Sequence, residues 1–215
     1  MPLYSIDRFD DGGTLAVWHI TEAEEELKSI ASVPEEEQED IDLSPLEKRR
    51  IERYAIRALL NSLFDDKVYL GYEEDNSPYL KNSHCAISIS HSGDYACVFI
   101  HENESVGVDI ELLDRDFTAV ETKVLSKTEK SYLSDKYRQT QLGLIWCAKE
   151  AIYKLMCERG VDFSEQMEIE KFTPRDEEGE LEATFTSQKG AEYELELDYK
   201  LFDGYALVWV TSDTM

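Results

Sequence analysis

Lys149 stands where a helix should be apolar, and that constrains the fold more than any other single residue. Apolar side chains recur at Leu142, Ile145, Trp146, Ile152, Tyr153 and Met156, the spacing of a helix with one buried stripe. At about 100° per residue, Lys149 projects from the middle of that stripe. Glu150 falls at its edge, and Lys154 lies one turn further along the same face. A buried ammonium is costly without a partner. The bland alternative is a lysine that snorkels to water beside an ordinary Glu150–Lys154 surface pair.

A second acidic motif precedes this helix. Ser105 to Leu112 reads as a strand in which Val106, Val108 and Ile110 alternate with Gly107, Asp109 and Glu111. Residues at i and i+2 of a strand share a face, so Asp109 and Glu111 project together, with Gly107 leaving open space beside them. Two adjacent carboxylates raise each other's pKa unless a cation lies between them. Magnesium suits such a site, since it takes oxygen ligands and accepts substrate phosphates. A polar sheet face is the plainer reading of the strand alone.

A third segment, Ala86 to Ile100, reads as two strands joined by a tight Ser92-Gly93-Asp94 turn. Ser90 and His91 end the first strand. Hydroxyl, imidazole and exposed turn amides all bind phosphate oxygens, although the same residues can simply cap a hairpin.

Taken in order, Ile89-Ser90-His91-Ser92-Gly93, Val106-Gly107-Val108-Asp109-Ile110-Glu111 and Trp146-x-x-Lys149-Glu150-x-x-x-Lys154 resemble the motif series of the 4′-phosphopantetheinyl transferases. The length suits the longer, pseudo-dimeric Sfp-type members. The resemblance implies transfer of the phosphopantetheine arm of coenzyme A to a serine of an acyl or peptidyl carrier protein, with release of 3′,5′-ADP. It implies Mg2+ bound by Asp109, Glu111 and Glu150, and His91 at the 3′-phosphate with Ser90 nearby. Lys149 and Lys154 would contact phosphates or pantetheine, and Lys154 could assist the leaving group. Glu150, Lys154 and Lys149 are thus the expected catalytic set.

The chain also departs from that pattern. Many members carry a Gly-Lys-Pro or Gly-Arg-Pro segment ahead of the histidine; here Asp75-Asn76-Ser77-Pro78 puts Ser77 at the basic position, with Lys81 as the nearest substitute. An early basic helix holds Lys48, Arg49, Arg50 and Arg53; the resemblance implies basic residues of this helix at the 3′-phosphate without deciding which, and Arg50 and Arg53 are expected with Lys81 as nucleotide contacts. The plain reading of these arginines is i,i+4 pairing with Glu47 and Glu52.

A formal net charge of −25 excludes nucleic-acid binding, which needs a basic footprint. It also opposes the approach of coenzyme A and acidic carriers, leaving Lys48 to Arg57 and Lys123, Lys127 and Lys130 as local recruiting patches. The acidic runs Glu22–Glu26, Glu35–Asp42 and Asp176–Glu182 read as solvated loops or helix faces away from the site. No stretch reads as a membrane span or secretory leader, and the four cysteines have no C-x-x-C spacing, so a cytoplasmic protein with reduced thiols is expected.

Strands are expected at 14–20, 68–72, 86–91, 94–101, 105–111, 166–173, 181–187, 191–200 and 204–211. Helices are expected from a Ser44-Pro45-x-Glu47 cap to about Asp65, over Ser126–Tyr137 and over Thr140–Arg159, the last ended by Gly160. Hairpins separated by helices give an α+β fold. The resemblance adds two similar lobes, 1–103 with the nucleotide contacts and 104–215 with the metal site and catalytic helix, sharing an active site in a monomer. A non-catalytic relative that binds coenzyme A or a carrier protein, and an unrelated magnesium-dependent phosphate-ester hydrolase, are the alternatives.

Overall fold

In a computed structural model, which describes residues 2–212, the chain is an α+β protein built on antiparallel sheets. It divides into two compact units, one up to Asn103 and one from Glu104 on. No helix among the described residues is long and apolar enough to cross a membrane.

The first unit runs β1 (Leu3–Arg8), β2 (Gly13–His19), α1 (Glu24–Ala31), α2 (Glu35–Asp42), α3 (Glu47–Leu63), β3 (Leu70–Tyr72), β4 (Pro78–Leu80), β5 (Ala86–Ser92) and β6 (Tyr95–His101). Its main sheet has the order β1-β2-β6-β5, and β3 pairs with β4 as a separate ribbon. Helix α3 packs on β2 and β6, burying Tyr54, Ala55, Ala58 and Leu59 against Ala16, Trp18, Ala96 and Val98. The expected helix cap at Ser44 is absent. Ser44 instead closes α2, donating its amide to Ile41 O, and its carbonyl accepts from Arg50, so α3 starts at Glu47 with Leu46 as cap.

The second unit runs β7 (Ser105–Leu112), α4 (Thr118–Lys123), α5 (Lys127–Tyr132), α6 (Arg138–Met156), α7 (Phe163–Gln166), β8 (Met167–Ile169), β9 (Glu178–Thr186), β10 (Glu192–Phe202) and β11 (Tyr205–Ser212). The sheet order is β7-β11-β10-β9-β8. The Ser126–Glu129 capping box begins α5 as expected, but that helix stops at Tyr132. Helix α6 ends at Cys157 rather than Gly160: Cys157 takes the left-handed conformation, φ 48°, with its amide on Tyr153 O. Its apolar face covers β7 and β11 through Ala148, Ala151, Ile152 and Leu155.

The two units share a chain path. In each, a strand leads into the long helix, and a later hairpin returns its last strand beside the first: β2, α3, β5–β6 in one and β7, α6, β10–β11 in the other.

The acidic runs are not idle loops. Glu24 and Asp42 bind Arg50 and Lys28, Glu37 binds Arg57, and Asp40 binds Arg53, so α1 and α2 are tied to the basic helix α3 and to each other. The third run leads into β9 and supplies its first half, where Glu180 and Glu182 sit opposite Asp198 and Glu196 on an exposed sheet face.

Candidate active site at the β7–α6 contact

Gly107 sets the geometry of the site. A Cβ there would lie 2.0 Å from Ala151 O, so only glycine lets the α6 backbone close onto β7. The expectation of open space beside Gly107 is therefore corrected: the helix fills it. Gly107, Asp109 and Glu111 share a strand face, and that face meets α6. On α6, Cys147, Glu150, Ala151 and Lys154 follow the i, i+3, i+4, i+7 spacing that keeps one face toward the strand.

The chemistry collects there. Lys154 Nζ donates to Asp109 Oδ1 and to Val108 O, both at 2.8 Å. Glu111 accepts from Arg115, four residues along. Burial, then the nearby Asp109 charge, pushes the Glu150 carboxyl from an ordinary 4.5 up to about 7; Lys154 opposes the shift and Glu111 adds to it. Beneath them, burial holds the Cys147 thiol far above its normal range, reinforced by Asp109 and Glu111.

Three carboxylates within mutual electrostatic reach are the donor chemistry of a hard divalent cation such as magnesium, so the residue set fits that ion. In this conformation no three carboxylate, imidazole or thiol groups among the described residues converge closely enough to enclose an ion. Lys154 and Arg115 lie on two of the three carboxylates instead.

Lys149 is the principal correction. It is fully buried, and its ammonium faces Glu129 Oε2 at 2.7 Å together with the carbonyls of Met167, Phe163 and Val124 at 2.8, 2.9 and 3.0 Å. An ammonium has three protons to donate, so these four acceptors use them fully and leave none for a phosphate. Burial drives its pKa down while Glu129 pulls it back up. Glu129, also fully buried, further accepts from the amides of Ser126 and Ile169. The pair ties α5, α6, α7 and β8 into one body. Ser126-x-x-Glu129 is legible in the sequence as a helix start, but nothing in that pattern signals the carboxylate's second task.

In the first unit, Ser90 is buried on β5 and His91 is exposed at the strand's end. His91 Nδ1 lies 3.4 Å from Glu52 Oε2, and Lys48 lies 3.8 Å from Glu52 Oε1. Glu52 is therefore a buried neighbour of the histidine that the motif reading missed. Arg50 forms a two-bond fork with Glu24, at 2.7 and 2.8 Å, and Arg53 binds Asp40. Their guanidinium groups are committed to α1 and α2, neither to i,i+4 partners nor to an open phosphate cradle. Lys48, Arg49 and Lys81 are exposed. Ser77 folds back on Asp75, its amide at 3.0 Å and its hydroxyl at 2.6 Å from Oδ1, in the turn between β3 and β4.

The family model described as the 4′-phosphopantetheinyl transferase superfamily matches residues 105–210, about half of the chain, running from the start of β7 into β11. A Haemophilus influenzae protein with the provisional name of 4′-phosphopantetheinyl transferase is 33% identical over 89 residues. That alignment spans 38% of this chain and 37% of the relative.

Proposed function

Since the chain, through its second unit, belongs to the 4′-phosphopantetheinyl transferase superfamily, we propose that it transfers the phosphopantetheine arm of coenzyme A to a serine of an acyl or peptidyl carrier protein. The observation that carries this reading is the gathering of Asp109, Glu111, Glu150 and Lys154 by one glycine-mediated strand–helix contact. The shared strand–helix–hairpin path supports two similar lobes of the Sfp type.

In this reading the carrier serine attacks the β-phosphorus, and the bond from that phosphorus to the bridging oxygen of 3′,5′-ADP breaks. Glu150, with a pKa near neutrality, accepts the serine proton directly or through a water. A magnesium ion on Asp109, Glu111 and Glu150 would supply charge neutralisation at the pyrophosphate. Lys154 stabilises the oxygen on which charge builds as the ADP portion leaves. Lys149 does not touch substrate; it holds α6 in register so that Glu150 and Lys154 project correctly. His91, with Ser90 beside it and Glu52 behind it, binds the 3′-phosphate, and the exposed Lys48, Arg49 and Lys81 are better placed for nucleotide contacts than the paired Arg50 and Arg53.

The test is release of 3′,5′-ADP from coenzyme A and magnesium, with and without an apo carrier protein. Transfer predicts release only when the carrier is present. Release without a carrier would indicate a hydrolase, and binding of coenzyme A with no release under either condition would indicate a non-catalytic relative.

A further inference from the structure

The two cations at the β7–α6 contact are placed unequally for a mere surface pair. Lys154 bridges Asp109 and a backbone carbonyl in a largely buried setting. Arg115 reaches Glu111 from the loop after β7, with its guanidinium resting over the Phe117 ring at 5.3 Å. The backbone of that loop is fixed. Gln139 of α6 donates to the carbonyls of Leu113 and Arg115 at 2.6 and 2.7 Å, and the Leu113 amide bonds to Gly204 O at 2.8 Å. The Arg115 side chain itself remains 40% exposed. An arginine with a pinned backbone and a partly exposed head can reach a second partner without reordering its loop.

We propose that Arg115 is a further phosphate-binding residue, and that Arg115 and Lys154 are exchangeable counter-ions. They hold Glu111 and Asp109 before ligand arrives, and they pass to the diphosphate of coenzyme A when a divalent cation takes the carboxylates. The inference rests on the proposed transferase reading. Its physical basis is charge balance. A dication entering between Asp109 and Glu111 would meet an ammonium and a guanidinium already there, and like charges repel strongly in a partly buried site. An anionic diphosphate removes that conflict by accepting both cations, and a planar guanidinium suits two phosphate oxygens at once. Metal and coenzyme A therefore bind as a coupled pair, each tightening the other by the same factor.

The test uses Mn2+ as probe, with free metal counted by electron paramagnetic resonance, and coenzyme A as the anion. In the wild type, coenzyme A should tighten Mn2+ binding by about tenfold or more, inside the usual range of coupling between sites. In Arg115→Ala, Mn2+ should bind the ligand-free protein several-fold more tightly than wild type, and the factor gained from coenzyme A should shrink several-fold. Arg115→Lys should recover part of the coupling. Lys154→Met tests the other half in the same way, and thermal melts confirm that both variants are folded. Equal Mn2+ affinities for wild type and Arg115→Ala, with and without coenzyme A, would overturn the exchange. Mn2+ binding that ignores coenzyme A in the wild type would also overturn it while leaving the transferase reading standing. No Mn2+ binding under any condition would overturn the exchange together with the metal site on which the reading relies, and carrier-dependent ADP release then tells whether transfer itself survives.

Discussion

Replacing Lys149 by methionine should unfold the protein more readily rather than disable it chemically. Methionine keeps the volume and removes the charge. The Glu129 carboxylate, with no solvent access, then loses its counter-ion, and three carbonyls that face the ammonium lose a donor. Breaking a buried ion pair from one side costs about 3–5 kcal/mol. For a chain of this length that is a fall in Tm of roughly 6–20 °C, at about 2–4 °C per kcal/mol. Glu129→Gln should relieve part of the loss. The double variant should be less destabilised than the sum of the single ones, by about 0.5–3 kcal/mol in a double-mutant cycle read from urea melts. At low temperature the folded fraction of Lys149→Met should still bind coenzyme A. A variant with an unchanged Tm and no affinity for coenzyme A would refute this reasoning and restore Lys149 as a ligand contact.

Other consequences are as direct. Gly107→Ala should force α6 away from β7, costing about 1–3 kcal/mol by overpacking and reducing activity beyond the loss of folded protein, because Glu150 and Lys154 move with the helix; thermal melts and steady-state rates separate the two effects. Glu150→Gln should abolish turnover and keep the wild-type circular dichroism spectrum. The pH dependence has a definite sign. Folding raises the Glu150 pKa from 4.5 to about 7, so its ionisation opposes folding. The penalty is absent below pH 4.5 and complete above about 7, and the metal-free protein should lose stability across that window. The loss should be flatter in Glu150→Gln, as urea melts at several pH values would reveal. Ser77→Lys should tighten coenzyme A binding by a few fold in calorimetry if the β3–β4 turn faces the nucleotide, since an exposed charge contact contributes up to about 1 kcal/mol.

The strands and the long helices were legible because period-2 alternation and the helical stripe are strong local patterns. The elements missed, β1, β4 and the short helices α4 and α7, are short segments with too few residues to show a period, and the acidic runs that form α1 and α2 read equally as loops or helix faces. The arginines of α3 illustrate this. Their attraction to Glu24, Glu37 and Asp40 depends on how α1 and α2 fold back, which no i,i+4 rule describes. Lys149 was legible as an anomaly, but its resolution was not. The carboxylate that satisfies it lies on another helix, and a lysine beside a glutamate proposed as a metal ligand reads equally well as a phosphate contact. Gly107 was singled out correctly and interpreted in the wrong direction, since a glycine makes room for a ligand or for a backbone and only the packing decides which.

The intact mass of an apo carrier protein, after incubation with this protein, coenzyme A and magnesium, decides whether the β7–α6 site transfers phosphopantetheine. Wild type should add the mass of one phosphopantetheine arm to the carrier, and Asp109→Ala or removal of magnesium by a chelator should prevent the gain. An unmodified carrier with wild type, or an equal gain with Asp109→Ala, would contradict the assignment of catalysis to the β7–α6 site.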